Sequence, residues 1–298
     1  LLKIDALGLR TLSVLQDVLD QVGWSRDKLL NLPKNDKAAF AVLNDERYAG
    51  IFQFEGYALQ SVTKQMKVHD FEDIVAITAL GRPGPLNSGG TTEYIKRHTG
   101  EAPVEYLHPL TEEITKVTNG VVVYQEQVMT IGRDVGKLSW EDVSSLRKAM
   151  SKSLGQEFFD TYFLKFKAGA AENGIEEDKA RYIWDHINTM GSWAFNRSHA
   201  VAYGMVSFWC CALKSRFPLE FAAACLRNVK DGEQGIRLLR EVVQEGLSYK
   251  PFDKFKSKIN WSVQSGELIG GLIGIKGIGP KMAKDIVERR DLKQPKNC

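Results

Sequence analysis

Apolar residues recur at three- and four-residue spacing along most of the chain, the period of a helix with one buried face. In the first such segment, residues 9–22, Leu12, Leu15, Val18, Leu19 and Val22 fall on one side. The same spacing predicts helices over 53–66, 70–80, 124–135, 139–150, 156–171, 176–190, 198–217 and 220–229. Start signals sit where they should: Ser139 precedes Glu141 and Asp142, and Ser198 precedes an apolar run. Gly and Pro gather between helices, above all at 81–90 and 107–119. Residues 1–9 read as the end of a strand that turns at Gly8. After residue 247 the pattern changes. Two short β-like runs, 258–263 and 267–272, flank Gln264-Ser265-Gly266, a hairpin signal, and a compact helical element follows from Leu272. The fold expected is mainly α, with a piece of sheet at the N-terminal edge and a small C-terminal module.

The most apolar stretch, 200–213, ends at Lys214 and falls short of the roughly 18–20 residues that cross a bilayer. It reads as a buried core helix, and no membrane partner is expected. A length of 298 residues suggests about two domains, and 43% hydrophobic with 26% charged residues excludes a disordered, collagenous or disulfide-scaffold chain. Cys210, Cys211, Cys225 and Cys298 form no CxxC pair, and the histidines are scattered, so no zinc site is expected and the cytosol is the natural compartment. The chain opens at Leu1 without a basic-then-apolar leader, which suggests a segment, a processed product or a split gene. The net charge of +3 is unevenly placed: residues 276–298 carry +4 and everything before them −1. The C-terminus is where a phosphate backbone is attracted most, unless the excess is only a solvated tail.

Gly277-Ile278-Gly279 lies between short apolar runs in LIGIKGIGPKMAKDIVE, the pattern of a helix-hairpin-helix. The glycines permit the turn, Ile278 plugs the gap between helices, and Pro280 suits a first helical position. Amides at the start of the second helix, with Lys276, Lys281 and Lys284 beside them, suit a DNA phosphate held without reading sequence. Elsewhere the chemistry is less specific. Lys3 and Asp5 share one face of a strand, as a phosphate- and metal-binding pair or as a strand-end ion pair. Arg147 and Lys148 lead into Ser151 and Lys152, either a triphosphate clamp or a solvated face. Arg197 and His199 stand at a helix entrance with Tyr203 one turn on, where an anion or an ordinary cap would fit. Arg82 is presented by Gly81-Arg82-Pro83-Gly84-Pro85-Leu86, which reads as a stiff loop.

Taken in order, KIDALGLRTL (3–12), GIFQFEG (50–56), GRPGPLNSG (81–89), VVYQEQVM (122–129), LRKAMSK (146–152), FNRSHAVAY (195–203) and the helix-hairpin-helix resemble the α subunit of bacterial DNA polymerase III, the C-family replicative polymerases. The resemblance implies that residues 1–45 are the last part of the palm and 46–250 the helical fingers. Residues 251–298 are then a β-hairpin and an incomplete helix-hairpin-helix module that grips duplex DNA. It makes Asp5 a catalytic ligand of Mg²⁺ and Lys3 a catalytic, phosphate-facing lysine. Arg147 and Lys148 become the pair that reaches the incoming triphosphate, with Arg82, Arg197 and His199 assigned to the nucleotide less sharply. Many relatives have arginine where Lys148 stands, and Lys keeps only a point charge. Ala6 stands where phenylalanine is common.

The family's paired palm aspartates and the thumb have no counterpart in these residues. The reaction expected is template-directed transfer of deoxynucleotides to a primer 3′ end by a two-metal mechanism. It needs primer-template DNA, deoxynucleoside triphosphates and a second polypeptide or further segment bringing the other aspartates and the thumb, with a sliding clamp reached through that assembly. The setting implied is the bacterial cytoplasm or nucleoid, or a virus replicating there. A non-catalytic DNA-binding scaffold derived from a polymerase is the alternative. A base-excision glycosylase, which also uses a helix-hairpin-helix, fits worse because too few residues follow that element to hold its catalytic acid.

Overall fold

The computed structural model describes residues 8–152 and 156–293, with side chains described except at 150–160 and 293. The fold is mainly α. In chain order the helices are α1 (Arg10–Val22), α2 (Arg26–Leu30), α3 (Lys37–Asn44), α4 (Tyr57–Met66), α5 (Phe71–Leu80), α6 (Pro83–Asn87), α7 (Gly90–His98) and α8 (Glu112–Thr115). They continue with α9 (Gln125–Asp134), α10 (Trp140–Lys152), α11 (Gln156–Glu172), α12 (Glu177–Gly191), α13 (Arg197–Arg216), α14 (Pro218–Arg227), α15 (Gly232–Gln244) and α16 (Pro280–Lys293). Strands β1 (Tyr249–Lys250), β2 (Ser262–Gln264) and β3 (Glu267–Ile269) form one small sheet in the order β1-β3-β2. The N-terminal strand expected over 1–9 lies almost entirely outside the described residues, as do Lys3 and Asp5.

Two compact units divide the chain: a central unit, Gly56–Met205, and a terminal unit, Leu1–Glu55 with Val206–Cys298. Compactness therefore cuts the chain at places other than 45 and 250, the boundaries that the family resemblance implies. The central unit has its core where α9, α10, α11 and α12 bury Val128, Ile131, Val143, Leu146, Phe166, Ile183 and Trp184. The Phe166 and Trp184 rings lie 4.9 Å apart. Helix α5 is buried along nearly its whole length, and a reciprocal cap starts it: Asp70 accepts the Asp73 amide while Asp73 accepts the amides of His69 and Asp70. Burial raises the Asp73 pKa, against the pull of those amides and of His98.

In the terminal unit α1 packs on α14, and α14 also covers β2 and β3. Helix α1 ends at Gly23, whose φ of 69° is the left-handed stop that glycine adopts freely. Helix α3 is started by Asp36, which accepts the amides of Ala38 and Ala39.

Several expectations change. The helix expected from residue 53 begins at Tyr57, because Gln53 sits at φ 65° and Gly56 serves as N-cap. The stiff loop at 81–86 is not a loop: Pro83 occupies the first turn of α6, where its fixed φ suits a helix and its missing N–H costs nothing. The Gly/Pro-rich 107–119 segment likewise holds α8 between two short 3₁₀ turns. The hairpin forms, but with shorter strands than expected, pairing Ser262–Gln264 with Glu267–Ile269 about Ser265 and Gly266, both at positive φ. A parallel partner, β1, was not legible in the sequence. The first helix expected before Gly277 is one 3₁₀ turn, Leu272–Gly274. The residues just before it are committed to β3, and Gly271 lies so close to Asn260 that a Cβ there would stand 2.3 Å from the Asn260 Cα.

Candidate functional site

Three of the sequence blocks meet in the central unit. The Gln125 amide donates to the Phe195 carbonyl (2.9 Å) and the Phe195 amide to the Val123 carbonyl (3.0 Å), a short parallel bridge that lays the start of α9 beside the start of α13. Asn196 then caps α13, its Oδ1 accepting the His199 amide at 2.8 Å. One carboxylate ties the two helix entrances together. Glu126 accepts from Asn196 Nδ2 through Oε1 (2.8 Å) and from the Arg197 amide through Oε2 (2.9 Å). A negative group there is favoured twice, because both helices point their positive ends at it.

The charged side chains at this entrance are held unequally. Arg197 is half-exposed; its Nη2 donates to Glu72 at 3.1 Å, whereas its Nε is buried without an acceptor among the described residues. His199 is exposed, stacked on Tyr203 (4.0 Å between ring centres) and edge-on to Phe195 (5.4 Å). Arg82 is spent on the scaffold. Its Nε donates to the Ala79 carbonyl (3.1 Å), its Nη2 to the Trp193 carbonyl (3.0 Å), and its guanidinium lies 4.1 Å from the Phe195 ring centre. Burial pushes its pKa down, yet an arginine remains charged. The glycines of this block serve packing. A Cβ at Gly84 or Gly90 would come within 2.7 Å of the Trp193 side chain, so only glycine lets α6 and α7 close around it.

Arg147 and Lys148 stand on the exposed face of α10, while their neighbours Leu146 and Ala149 face the core. Ser139 caps this helix by accepting the Asp142 amide at 3.1 Å. The Lys152 side chain lies outside the described residues, so the shared face expected for 148 and 152 is undescribed.

The C-terminal turn is open. The Ile278 amide donates to the Ile275 carbonyl (3.0 Å) across Gly277, whose φ is 90°. Pro280 begins α16, leaving the first-turn amides of Lys281 and Met282 without a helical acceptor. Ile278 is half-buried, and Lys276, Lys281 and Lys284 are exposed; the Lys284 ammonium lies 3.8 Å from Glu288. A Cβ placed on Gly274, Gly277 or Gly279 would touch nothing within 4 Å. Gly279 has neither positive φ nor crowding to require it. Among the described residues no three carboxylate, imidazole or thiol groups gather as a metal site.

Sequence reading missed Glu126, Glu72, Asn196 and Trp193 as parts of the site. Glu126 was findable as an acid in the first turn of a helix, whereas its role depends on a bridge to residues 70 positions away.

Comparison with known proteins gives this arrangement a family. The family model of the bacterial DNA polymerase III alpha subunit finger domain matches residues 11–174. The matched span opens well before residue 46, where the sequence reading started the fingers. DNA polymerase III subunit alpha of Aquifex aeolicus is 37% identical over 294 residues, covering 97% of this chain and 25% of the relative. The Mycobacterium tuberculosis protein of that name is 33% identical over 299 residues (98% and 25%), and the Staphylococcus aureus one 36% over 296 residues (97% and 27%). The chain belongs to the bacterial DNA polymerase III alpha subunit family and carries its finger domain. It spans about a quarter of the length of these relatives.

Proposed function

We propose that this chain is the nucleotide-gripping part of a replicative DNA polymerase, transferring deoxynucleotides from their triphosphates to a primer 3′ end on a DNA template. The observation that carries the reading is the α13 entrance, where Glu126 and Asn196 take up the amides of Arg197 and His199 and leave those two cationic or polar side chains at the surface, together, for an anion to meet. Arg147 and Lys148 neutralise the triphosphate, joined by Lys3 from the palm, and Arg82 fixes the loop behind Phe195. Asp5, with carboxylates from a further stretch or second polypeptide, would hold Mg²⁺, and that ion would supply a lowered hydroxyl pKa and charge neutralisation of the leaving pyrophosphate. The turn at Lys276, Gly277, Ile278 and Gly279, with Lys281 and Lys284, acts as the hairpin of a helix-hairpin-helix. Its uncovered backbone approaches a phosphate of duplex DNA closely, which is a reason for glycine at 279. A further stretch or second polypeptide completes the palm and thumb and brings the sliding clamp. The compartment is the bacterial cytoplasm or nucleoid.

The test is Mg²⁺-dependent primer extension by tagged chain recovered from its native source, beside Asp5→Asn and Arg147→Ala. Asp5→Asn is expected to abolish incorporation and leave duplex binding intact, and Arg147→Ala to raise the nucleotide KM. Extension by neither wild type nor variants, with duplex binding kept, would replace this reading by the DNA-binding scaffold, which the open hairpin turn favours.

A further inference from the structure

Between β1 and β2 the sequence YKPFDKFKSK (249–258) alternates aromatic rings with lysines. The structure locks this segment into a fixed turn. Asp253 Oδ1 accepts the amides of Phe255 and Lys256, both at 2.9 Å, and these hold its carboxyl below the usual range. Ser257 Oγ accepts the Asp253 amide (2.9 Å) and donates to the Gly270 carbonyl (2.8 Å), while Arg290 of α16 donates to the Ser257 carbonyl (2.6 Å).

A turn so well fixed nonetheless leaves two rings in solvent: Phe252 is 46% exposed and Phe255 63%. The lysines divide into two pairs. Lys250 and Lys256 both bind Glu267, each at 2.8 Å. Lys254 and Lys258 are exposed and make no ion pair with the described residues, and the Lys254 ammonium lies 4.7 Å from the Phe255 ring centre. Lys258 also lines a neighbouring open cleft of about 570 Å³ with Trp261, Arg227 and Arg290, to which Glu220 and Asp291 add two carboxylates.

We propose that this turn and cleft are a second nucleic-acid surface, selective for single strands. Unpaired bases stack on Phe252 and Phe255, and Lys254 and Lys258 meet the backbone phosphates. Exposed aromatic rings beside lysines that form no ion pair are the chemistry that sequence-tolerant single-strand binding uses, whereas duplex bases are already stacked on one another. A protein partner reading an apolar patch would have no need of Lys254 between the rings or of Lys258 after them. Its rings and lysines are not those of the 275–279 turn, and its binding does not depend on catalysis.

The test is a fluorescence-anisotropy titration of the purified chain with labelled oligothymidylate and with a duplex of equal length. The variants are Phe252→Ala with Phe255→Ala, Phe252→Leu with Phe255→Leu, and Lys254→Gln with Lys258→Gln. Each lost ring is expected to weaken single-strand binding about 5- to 150-fold, with duplex binding unchanged. Leucine should fail to restore it. The lysine pair should lower the salt slope of single-strand binding by about 0.7 per residue, which keeps the test decisive if the phenylalanine variants fail to fold. Full binding by the leucine variant would mean an apolar docking patch instead, and equal loss on duplex would make the turn merely structural. Either result, or no single-strand binding by the wild type, overturns the proposal. Single-strand binding without primer extension would instead overturn the polymerase reading and leave this one standing.

Discussion

The two ends of α13 carry the same kind of contact in opposite surroundings. Near the C-terminal end Lys214 is 4% exposed, 2.6 Å from a Glu245 that is 9% exposed, and it donates to the carbonyls of Arg47 (2.9 Å) and Ala49 (2.7 Å). Burial pushes the Lys214 pKa down while Glu245 resists. At the N-terminal end Arg197 pairs with Glu72 at 3.1 Å, with both side chains 41–50% in solvent. Water decides the difference. The buried pair cannot be broken without stranding a charge, so it fixes the 47–50 turn. The exposed pair is screened by water and salt, so breaking it costs little.

The sharpest test of that contrast is Lys214→Met, expected to destabilise the protein by about 3–5 kcal/mol in urea unfolding because Glu245 is left buried and unpaired. Adding Glu245→Gln, which keeps an acceptor for the Ala49 amide (2.9 Å), should recover much of the loss. No recovery would mean that packing of the lysine stem, not charge, is what matters there.

Glu126→Ala comes next, at about 1.5–3 kcal/mol, because two donors lose a charged acceptor at part-buried positions. Thermal unfolding gives the stability. In the extension assay the nucleotide KM should rise more than kcat falls, with Glu126→Gln intermediate. Equal effects on both constants would remove the α13 entrance from nucleotide binding.

A smaller effect tests the sheet. Hydrogen bonds from Lys250 and then Lys256, with their charges, lower the Glu267 pKa from 4.5 to about 2. A depressed carboxyl stabilises the folded state fully above its unfolded pKa and loses that contribution as pH falls through the folded one. Wild type should therefore exceed Glu267→Gln in stability at pH 7, and the two should converge as pH drops from about 4.5 towards 2. A constant gap across that range would assign the difference to packing.

Glu72→Gln should be the mildest change, about 0–1 kcal/mol and absent at high salt. Its informative readout is the nucleotide KM, expected to fall as Arg197 is released. A KM that rises would make Glu72 a support of the site rather than a competitor.

Helix existence was legible in most places where one apolar face repeated over ten or more residues, as in α1, α9 and α12, because burial of one stripe imposes a 3.6-residue period. Short helices were not. Helices α2, α3 and α6 to α8 carry too few turns for a period to show, and Pro83 read as a breaker until its place at the first turn of α6 was seen. Helix α15, long enough to show a period, was simply passed over. Strand β1, with two residues, has no pattern of its own and exists through its pairing with β3. Of the site, Arg147, Lys148, Arg197, His199 and the glycine turn were visible as residue types. Their environments were not: Arg82 looked like a presented cation and is instead bonded to two carbonyls.

The sequence by itself determined the helical class, most long helices, the hairpin turn and, through its ordered motifs, the family. Those properties depend on local spacing and residue identity, which a linear reading holds completely. Only the tertiary structure decided that Arg82 is bonded to two carbonyls while Arg197 is half-exposed beside Glu72, that Glu126 joins two helix entrances, that Gly84 and Gly90 make room for Trp193, and that Phe252 and Phe255 stand in solvent. Each of these rests on burial or on a partner far away in sequence. The energy of a charge, a ring or a glycine is set by what surrounds it, and the surroundings come from the fold.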